Sequence, residues 1–397
     1  MSEWPTVRFG DLFQIKHGFA FKGEHFSDEP GPVVLTPGNF EARGGLKLRP
    51  GKDRSYDGEF PEAFKLKVGE LLVVMTDLTQ EAAILGAPAF VLSDIACLHN
   101  QRLGKIVDLK ADRLDLRFLY YLCNTHDYRE YLRSTATGST VKHTSPGRIC
   151  DFAVSLPPIE TQRRIAGILG AYDDLIEVNQ RRIAVLKEMA QALFTEWFTH
   201  LRFPGHEDVA IEDTPDGPLP AGWSLVQLGA LIELIYGKAL KADTRQPGDV
   251  AVIGSSGVVG SHNAALVSGP GIVVGRKGNV GSVIWSSSDY WPIDTTYYVD
   301  TKLPLPYIYQ LLKRITFQNT DAAVPGLNRD YALSRMVLTA PDALVQRYGD
   351  FAAPIHDAVT GLEQANANIA AARDLLLPRL ISGQLSVTRA EQELEAA

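Results

Sequence analysis

The stretches Trp4–Lys22, WPTVRFGDLFQIKHGFAFK, and Trp223–Lys241, WSLVQLGALIELIYGKALK, decide how this chain is built. Aligned without a gap they share Trp4/Trp223, Val7/Val226, Gly10/Gly229, Leu12/Leu231, Gly18/Gly237, Ala20/Ala239 and Lys22/Lys241, seven identities at one offset of 219 residues. Chance supplies a match or two, not a register of this length, so the sequence implies an internal duplication. Each copy then follows the same course. Apolar, β-rich runs bounded by Gly and Pro come next, such as Leu71–Thr76 and Gly271–Arg276. A Gly/Ser/Thr or Pro-Gly loop follows, Gly138–Pro146 and Val324–Arg329, and then a last strand, Asp151–Leu156 and Arg335–Thr339. Those strands lead into Pro157-Pro158 and Pro341, where long helical segments begin.

The two helical segments carry the strongest periodicity. Alternating steps of four and three from Ile165 give Leu169, Tyr172, Ile176, Asn179, Ile183, Leu186, Ala190, Leu193 and Trp197, with Asn179 the polar exception. The same steps from Tyr348 give Ala352, Ile355, Val359, Leu362, Asn366, Ile369, Arg373, Leu376 and Leu380, with Asn366 and Arg373 as exceptions. An apolar repeat near 3.5 residues held this long is a coiled-coil seam, and a buried Asn in it fixes register. The plainer reading is a pair of amphipathic helices, each packed on its own module. Pro354 interrupts the second segment early and is expected to set its start. A second apolar row on the first helix, Ile168, Leu175 and Met189, widens its stripe enough for a further protein neighbour.

The chain therefore divides into a module over 1–156, a helix over 157–200, a linker over 201–222, a module over 223–340, a helix over 341–383 and a polar tail over 384–397. The linker, rich in Pro, Gly and acid, reads as an exposed crossing, and the tail as frayed. The net charge of −8 is concentrated there: 201–222 holds one basic and five acidic residues, and 341–397 holds four and eight. The modules are near neutral, with 19 basic and 20 acidic residues in 1–155 and 10 and eight in 223–340. That balance permits DNA binding without arguing for it, and leaves a partner to supply part of the positive charge.

Several enzyme classes lack their residues here. No Gly-x4-Gly-Lys-Ser/Thr is present, and Gly275-Arg-Lys-Gly-Asn-Val-Gly281 does not have dinucleotide-binding spacing. Leu156-Pro-Pro-Ile159 is similar to the Asn/Asp-Pro-Pro-aromatic motif of adenine methyltransferases but lacks its polar first residue. Neither His-Glu-x-x-His nor Gly-x-Ser-x-Gly occurs. Catalytic and metal-ligating residues are therefore expected to be none. The cysteines Cys97, Cys123 and Cys150 are scattered, no apolar run approaches the ~18 residues of a membrane span, and Met1-Ser2-Glu3-Trp4-Pro5 lacks the layout of a signal peptide. A reduced, cytoplasmic protein is expected.

Local motifs bear a closer identification. Leu71-Leu-Val-Val-Met-Thr-Asp-Leu-Thr79, Asn100-Gln-Arg102, Gly138-Ser-Thr-Val-Lys-His-Thr-Ser145 and Leu156-Pro-Pro-Ile-Glu-Thr-Gln-Arg-Arg-Ile-Ala166 resemble the specificity subunits of type I restriction-modification systems. So do Val274-Gly-Arg-Lys-Gly-Asn-Val-Gly281, Pro292-Ile-Asp-Thr295, Val324-Pro-Gly-Leu-Asn-Arg329 and Asp374-Leu-Leu-Leu-Pro-Arg-Leu-Ile-Ser-Gly383. The alanine-rich second helix, with Pro354 and Arg373, departs from that pattern. The resemblance implies an α/β fold: two tandem α+β target recognition domains, each followed by a long helix, the helices forming an antiparallel coiled coil. It also implies a non-catalytic subunit that reads one half of a bipartite double-stranded DNA site with each domain. Its helices would dock two methyltransferase subunits and, for restriction, translocase-nuclease subunits. S-adenosylmethionine, ATP and Mg would be the partners' cofactors, with none in this chain.

Base- or phosphate-contacting candidates are polar loop residues. Arg276, Lys277 and Asn279 lie in a glycine-flanked loop that lets backbone approach a phosphate, and Arg also suits guanine. Lys142 and His143, and Asn328 and Arg329, occupy the loop before each module's last strand, and Arg43 is a further candidate. Solvated glycine turns or structural closures explain the same residues. Gln162, Arg163, Arg164, Leu175, Met189 and Phe198 are the candidates for partner contact, with a solvated helix face as the plainer reading of the charged ones. A helix of about 40 residues spans about 60 Å, so it would set the unread gap between half-sites. Three other functions fit less of the sequence: an autonomous DNA-modifying enzyme, a coiled-coil adaptor without DNA binding, and the specificity subunit of a methylation-only system.

Overall fold

The structure, a computed structural model, describes residues 4–49, 51–91, 95–317 and 326–395. It separates into two compact units, one of residues 1–176 with 367–397 and one of residues 177–366. The boundary falls inside both long helices, Ile159–Phe194 and Asp342–Ile381.

In the first unit, strand Thr6–Arg8 pairs antiparallel with Ala153–Ser155, so the first and last strands of the module lie side by side. A four-stranded antiparallel sheet follows in the order Gln14–His17, Leu103–Val107, Leu71–Val74, Pro88–Phe90. A second sheet orders Phe26–Ser27, Ser55–Tyr56, Val33–Leu35 and Cys97–His99, the last pairing parallel. Leu71–Val74 is apolar at every position because both its faces are covered. Leu71 and Val73 join the core built with the helices, and Leu72 and Val74 join the cluster that includes Leu35 and Cys97 of the second sheet.

The second unit repeats this order. Ser224–Gln227 pairs with Met336–Thr339, and the four-stranded sheet runs Glu233–Tyr236, Thr296–Asp300, Gly271–Gly275, Val283–Ser286. A three-stranded sheet, Gly257–His262, Val250–Gly254 and Tyr290–Pro292, again contains one parallel pair. Ile272 and Val274 face the main core while Val273 faces a smaller one with Ile253 and Tyr290.

The glycines of the repeat have a shared cause. A β-carbon at Gly18 would sit 2.1 Å from the Asn100 carbonyl oxygen, and one at Gly237 2.2 Å from that of Ile293. Beside them Phe19 N–H donates to His99 O at 2.7 Å and Lys238 N–H to Pro292 O at 2.9 Å. The backbone crosses another strand at contact distance, and only hydrogen fits.

The helical seam is partly module core and partly helix-on-helix. In the first unit Ile165 and Leu169 are buried with Leu377, Leu380 and Ile381, with Tyr172 and Leu376 packed against them. In the second, Ile183 and Val359 are buried, and Asn179 donates to Asn366 Oδ1 at 2.9 Å. There, too, Lys187 pairs with Glu363 at 2.8 Å and Tyr348 Oη donates to Ala190 O at 3.0 Å, so the segments run antiparallel. Ile176, Leu186, Leu193, Ile355, Leu362 and Ile369 are half-buried. The polar exceptions find partners: the two asparagines bond each other, and Arg373 pairs with Asp173 and with Asp374.

Three expectations need correction. The second helix begins at Asp342 and passes unbroken through Pro354. The 201–222 stretch is organised, with Phe203 buried and a hairpin joining Ile211–Thr214 to Gly217–Pro220. The tail after Gly383 forms a helix, Val387–Glu395, anchored by buried Leu385, Val387 and Ala390 in the first unit's core. Apolar residues at 385, 387 and 390 hold it, a spacing too short to stand out within polar sequence.

Candidate nucleic-acid interface

In the second unit the strand Gly271–Gly275 turns into Val283–Ser286 through a tight loop. Gly278 and Gly281 take φ of +79° and +76°, and Gly281 N–H donates to Gly275 O at 2.8 Å. The Arg276 and Lys277 amides both donate to the Thr295 carbonyl, at 2.9 and 3.0 Å. Arg276 Nη1 donates to Asp294 O at 2.7 Å, and its guanidinium lies 5.2 Å from the Tyr236 ring centre. The Pro292–Thr295 motif thus holds the Arg276 arm in place. Lys277 and Asn279 are exposed, and Lys277 forms no ion pair among the described residues.

The loop before the last strand comes to the same edge. Lys277 bridges Gly326, and Leu327 N–H donates to Arg276 O at 2.8 Å. Asn328 therefore follows directly, but its Oδ1 accepts the Tyr331 amide at 3.0 Å and caps the helix Arg329–Leu333. Arg329 is half-buried and its Nε finds no partner among the described residues. The beginning of the predicted loop, Val324-Pro325, lies outside the described residues.

The first unit builds the same junction with different side chains. Met75 N–H donates to Arg102 O at 2.9 Å, and Thr144 N–H donates to Met75 O at 3.0 Å. Ser145 caps the helix Pro146–Cys150 as Asn328 caps its counterpart. Lys142–His143 forms a short strand against Thr76–Asp77. His143 Nδ1 is 3.0 Å from Thr76 Oγ1, and Lys142 Nζ donates to Gly138 O at 2.9 Å. Where the second unit has Arg276 and Lys277, the first has Met75 and Thr76, both buried. Its exposed cation at this edge is Arg102, part of the Asn100-Gln-Arg102 motif but not among the contact candidates drawn from the sequence. Arg102 ends the stretch that corresponds to Pro292–Thr295, an equivalence the structure provides: Met75 N–H bonds to its carbonyl as Arg276 N–H bonds to that of Thr295.

Arg43, the remaining contact candidate, forms an ion pair with Asp374 of the second long helix. Two partner-contact candidates are overturned by burial. Gln162 is wholly buried: its Nε2 donates to Arg113 O and Pro157 O, both at 2.8 Å, and its Oε1 accepts Asp115 N–H at 2.9 Å. Phe198 is packed among Phe194, Trp223, Tyr307 and Tyr348. Arg163 is exposed with Glu160, and Arg164 reaches Glu391 and Thr388. Leu175 and Met189 stay exposed.

Among the described residues, no helix is long and apolar enough to cross a membrane, and no group of three or more His, Cys, Asp or Glu side chains is placed to hold a metal. Residues 1–188 match the family model described as the type I restriction modification DNA specificity domain. The MjaIX type I restriction enzyme specificity subunit of Methanocaldococcus jannaschii is 22% identical over 316 residues, 72% of this chain and 73% of the relative. The EcoBI specificity subunit of Escherichia coli is 25% identical over 258 residues, 62% of this chain and 50% of the relative. The fold is similar to the crystal structure of the type I restriction-modification S subunit from M. genitalium, with a TM-score of 0.58, 16% identity and 96% of each chain covered.

Proposed function

We propose that the chain is the specificity subunit of a type I restriction-modification system, the family that residues 1–188 and the curated relatives resemble, and that it reads a bipartite double-stranded DNA site with two target recognition domains. The carrying observation is the recurrence of one junction. In each unit a sheet strand, the loop before the last strand and a capped short helix meet through the same backbone bonds, Thr144 to Met75 and Leu327 to Arg276. A common scaffold with different side chains at that junction suits two readers of two different half-sites.

In this reading Arg276, Lys277, Asn279 and Arg329 form the second reader's polar edge, and Lys142, His143 and Arg102 the first's. Asn328 acts as a cap that orients its neighbours. The long helices act as a tandem-repeat spacer, an antiparallel coiled coil whose exposed apolar positions, Leu175 and Met189, dock methyltransferase subunits. The chain performs no chemistry: adenine methylation with S-adenosylmethionine, and ATP- and Mg-dependent restriction, belong to the partners. Arg276 suits guanine O6 and N7 or a phosphate, and Lys277 suits a phosphate.

Long-read mapping of adenine methylation with and without this gene tests the reading. Loss of methylation at one split motif with a fixed gap is expected. A split motif that stays methylated when the gene is restored with both reading edges replaced by alanine would refute the assignment of those edges.

A further inference from the structure

A cavity of about 490 Å³ opens in the first unit between the helix His126–Thr135 and the stretch of the second long helix around Arg373–Pro378. The reading edges do not include it. Arg43, Arg129, Arg133 and Arg373 line it together with His126 and Asp374.

Arg129 is the unusual member. It is 6% exposed, and its Nη2 donates to Ala83 O at 2.6 Å, but Nε and Nη1 have no partner. A guanidinium stays charged in a protein, so this is a buried cation with two unsatisfied donors. Burial pushes its pKa below the usual arginine value, as expected of a charge without a counterion. Asp77 is near enough to be felt, yet its oxygens are taken by Thr79 N–H, Thr79 Oγ1 and Ile84 N–H. The other arginines are answered: Arg373 by Asp173 and Asp374, Arg43 by Asp374, Arg133 by Glu130. The surplus positive charge therefore belongs to Arg129.

The helix His126–Thr135 starts at the same cavity. Its N-cap, Thr125, makes no side-chain capping bond, and Asn124, Thr125 and His126 all line the space. Asp127 lies in that first turn, but first-turn amides without an N-cap side chain, beside a buried guanidinium, are a donor set that phosphate oxygens take. The volume falls within the range of small-molecule sites, and Tyr120 and Tyr121 supply flat walls.

We propose that this cavity binds a phosphate group, with Arg129 as its buried anchor and Arg133 and the helix N-terminus as further donors. The phosphate comes from a free nucleotide or from a DNA backbone, and the two sources separate experimentally.

The test is thermal unfolding of the full chain at ionic strength held constant with chloride, against inorganic phosphate, AMP or a duplex of arbitrary sequence. The Tm of the wild type is expected to rise with the logarithm of phosphate concentration. AMP acting at about tenfold lower concentration than phosphate identifies a nucleotide site. A rise with the duplex alone identifies the backbone, provided Arg129→Met abolishes it. Arg129→Met replaces an isolated buried charge with an apolar chain of similar length, so it is expected to fold with equal or higher Tm in chloride and to lose the response. Arg133→Ala, at a more exposed position, is expected to keep the fold and blunt the response. A wild-type Tm flat in all three ligands overturns the proposal, as does an unchanged response in either variant.

Discussion

Phe198→Ala separates a residue that holds a module together from one that meets another protein. Its ring centre lies 4.9 Å from those of Phe194 and Tyr307, 5.4 Å from Tyr348 and 5.9 Å from Trp223, and the side chain is 7% exposed. Truncating a buried Phe costs about 3–5 kcal/mol, and five ring neighbours, these four and Trp197, place this site toward the middle or top of that range. With a urea dependence of about 2 kcal/mol per molar, a loss of about 4 kcal/mol moves the midpoint down by about 2 M. Intrinsic fluorescence is a suitable probe because Trp197, Trp223, Trp285 and Trp291 all lie in the second unit and only Trp4 in the first. Met189→Ala, at a site 54% exposed, is the contrast and should stay within about 0.5 kcal/mol of wild type. A loss below about 1 kcal/mol for Phe198→Ala would refute the reasoning, since a surface contact residue behaves that way.

Arg276→Ala should weaken binding through the second half-site by about 1–3 kcal/mol, and Lys277→Ala should lower the slope of log affinity against log salt by about one. Fluorescence anisotropy on duplexes altered in one half-site at a time checks both; equal losses through both half-sites would contradict the assignment. His99 is fully buried, its Nε2 is 2.9 Å from Leu103 O, and burial depresses its pKa from 6.5 to about 4. The unfolded chain therefore takes up this proton first, so stability is retained above pH 6.5 and falls between there and about 4, by about 3 kcal/mol. Denaturant titrations of His99→Gln should show that much less loss across the window, and an identical pH profile would exclude His99 as its source. Inserting one heptad into the first long helix should change the gap of the methylated motif and neither half-site. Methylated sites that keep the old gap would end the spacer reading.

Much of this architecture was legible because it repeats. The identities at Gly18/Gly237 and Gly10/Gly229 mark close approaches of other groups: a β-carbon added at Gly10 would meet that of Cys150 at 3.2 Å, and one added at Gly229 that of Leu333 at 3.3 Å. Such constraints leave the same residue in both copies whatever the surface does. The helical seam was legible in its period but not in its occupant. Ile165 and Leu169 enter a module core, while Asn179 and Asn366 meet across two helices, and one spacing serves both. Gln162 and Phe198 were misread for the same reason: burial is decided by groups distant in sequence, here Arg113, Asp115 and Pro157 for one and an aromatic cluster for the other. Arg102 was overlooked because nothing local distinguishes it. Its place at the edge depends on a bond from Met75 across the sheet. Arg129 carries no local mark either: its burial and its unpartnered donors are set by groups such as Ala83, distant in sequence.

The pairing of each module's first and last strands, Thr6–Arg8 with Ala153–Ser155 and Ser224–Gln227 with Met336–Thr339, has a consequence for inheritance. The polypeptide enters and leaves the module at one doorway, so everything between those strands hangs from two adjacent points. Recombination that exchanges the intervening DNA delivers a complete folding cassette while the doorway and the helix beyond it stay as they were. On the proposed reading, a single crossover between those strands would change the half-site that is read without re-evolving the frame that carries the module.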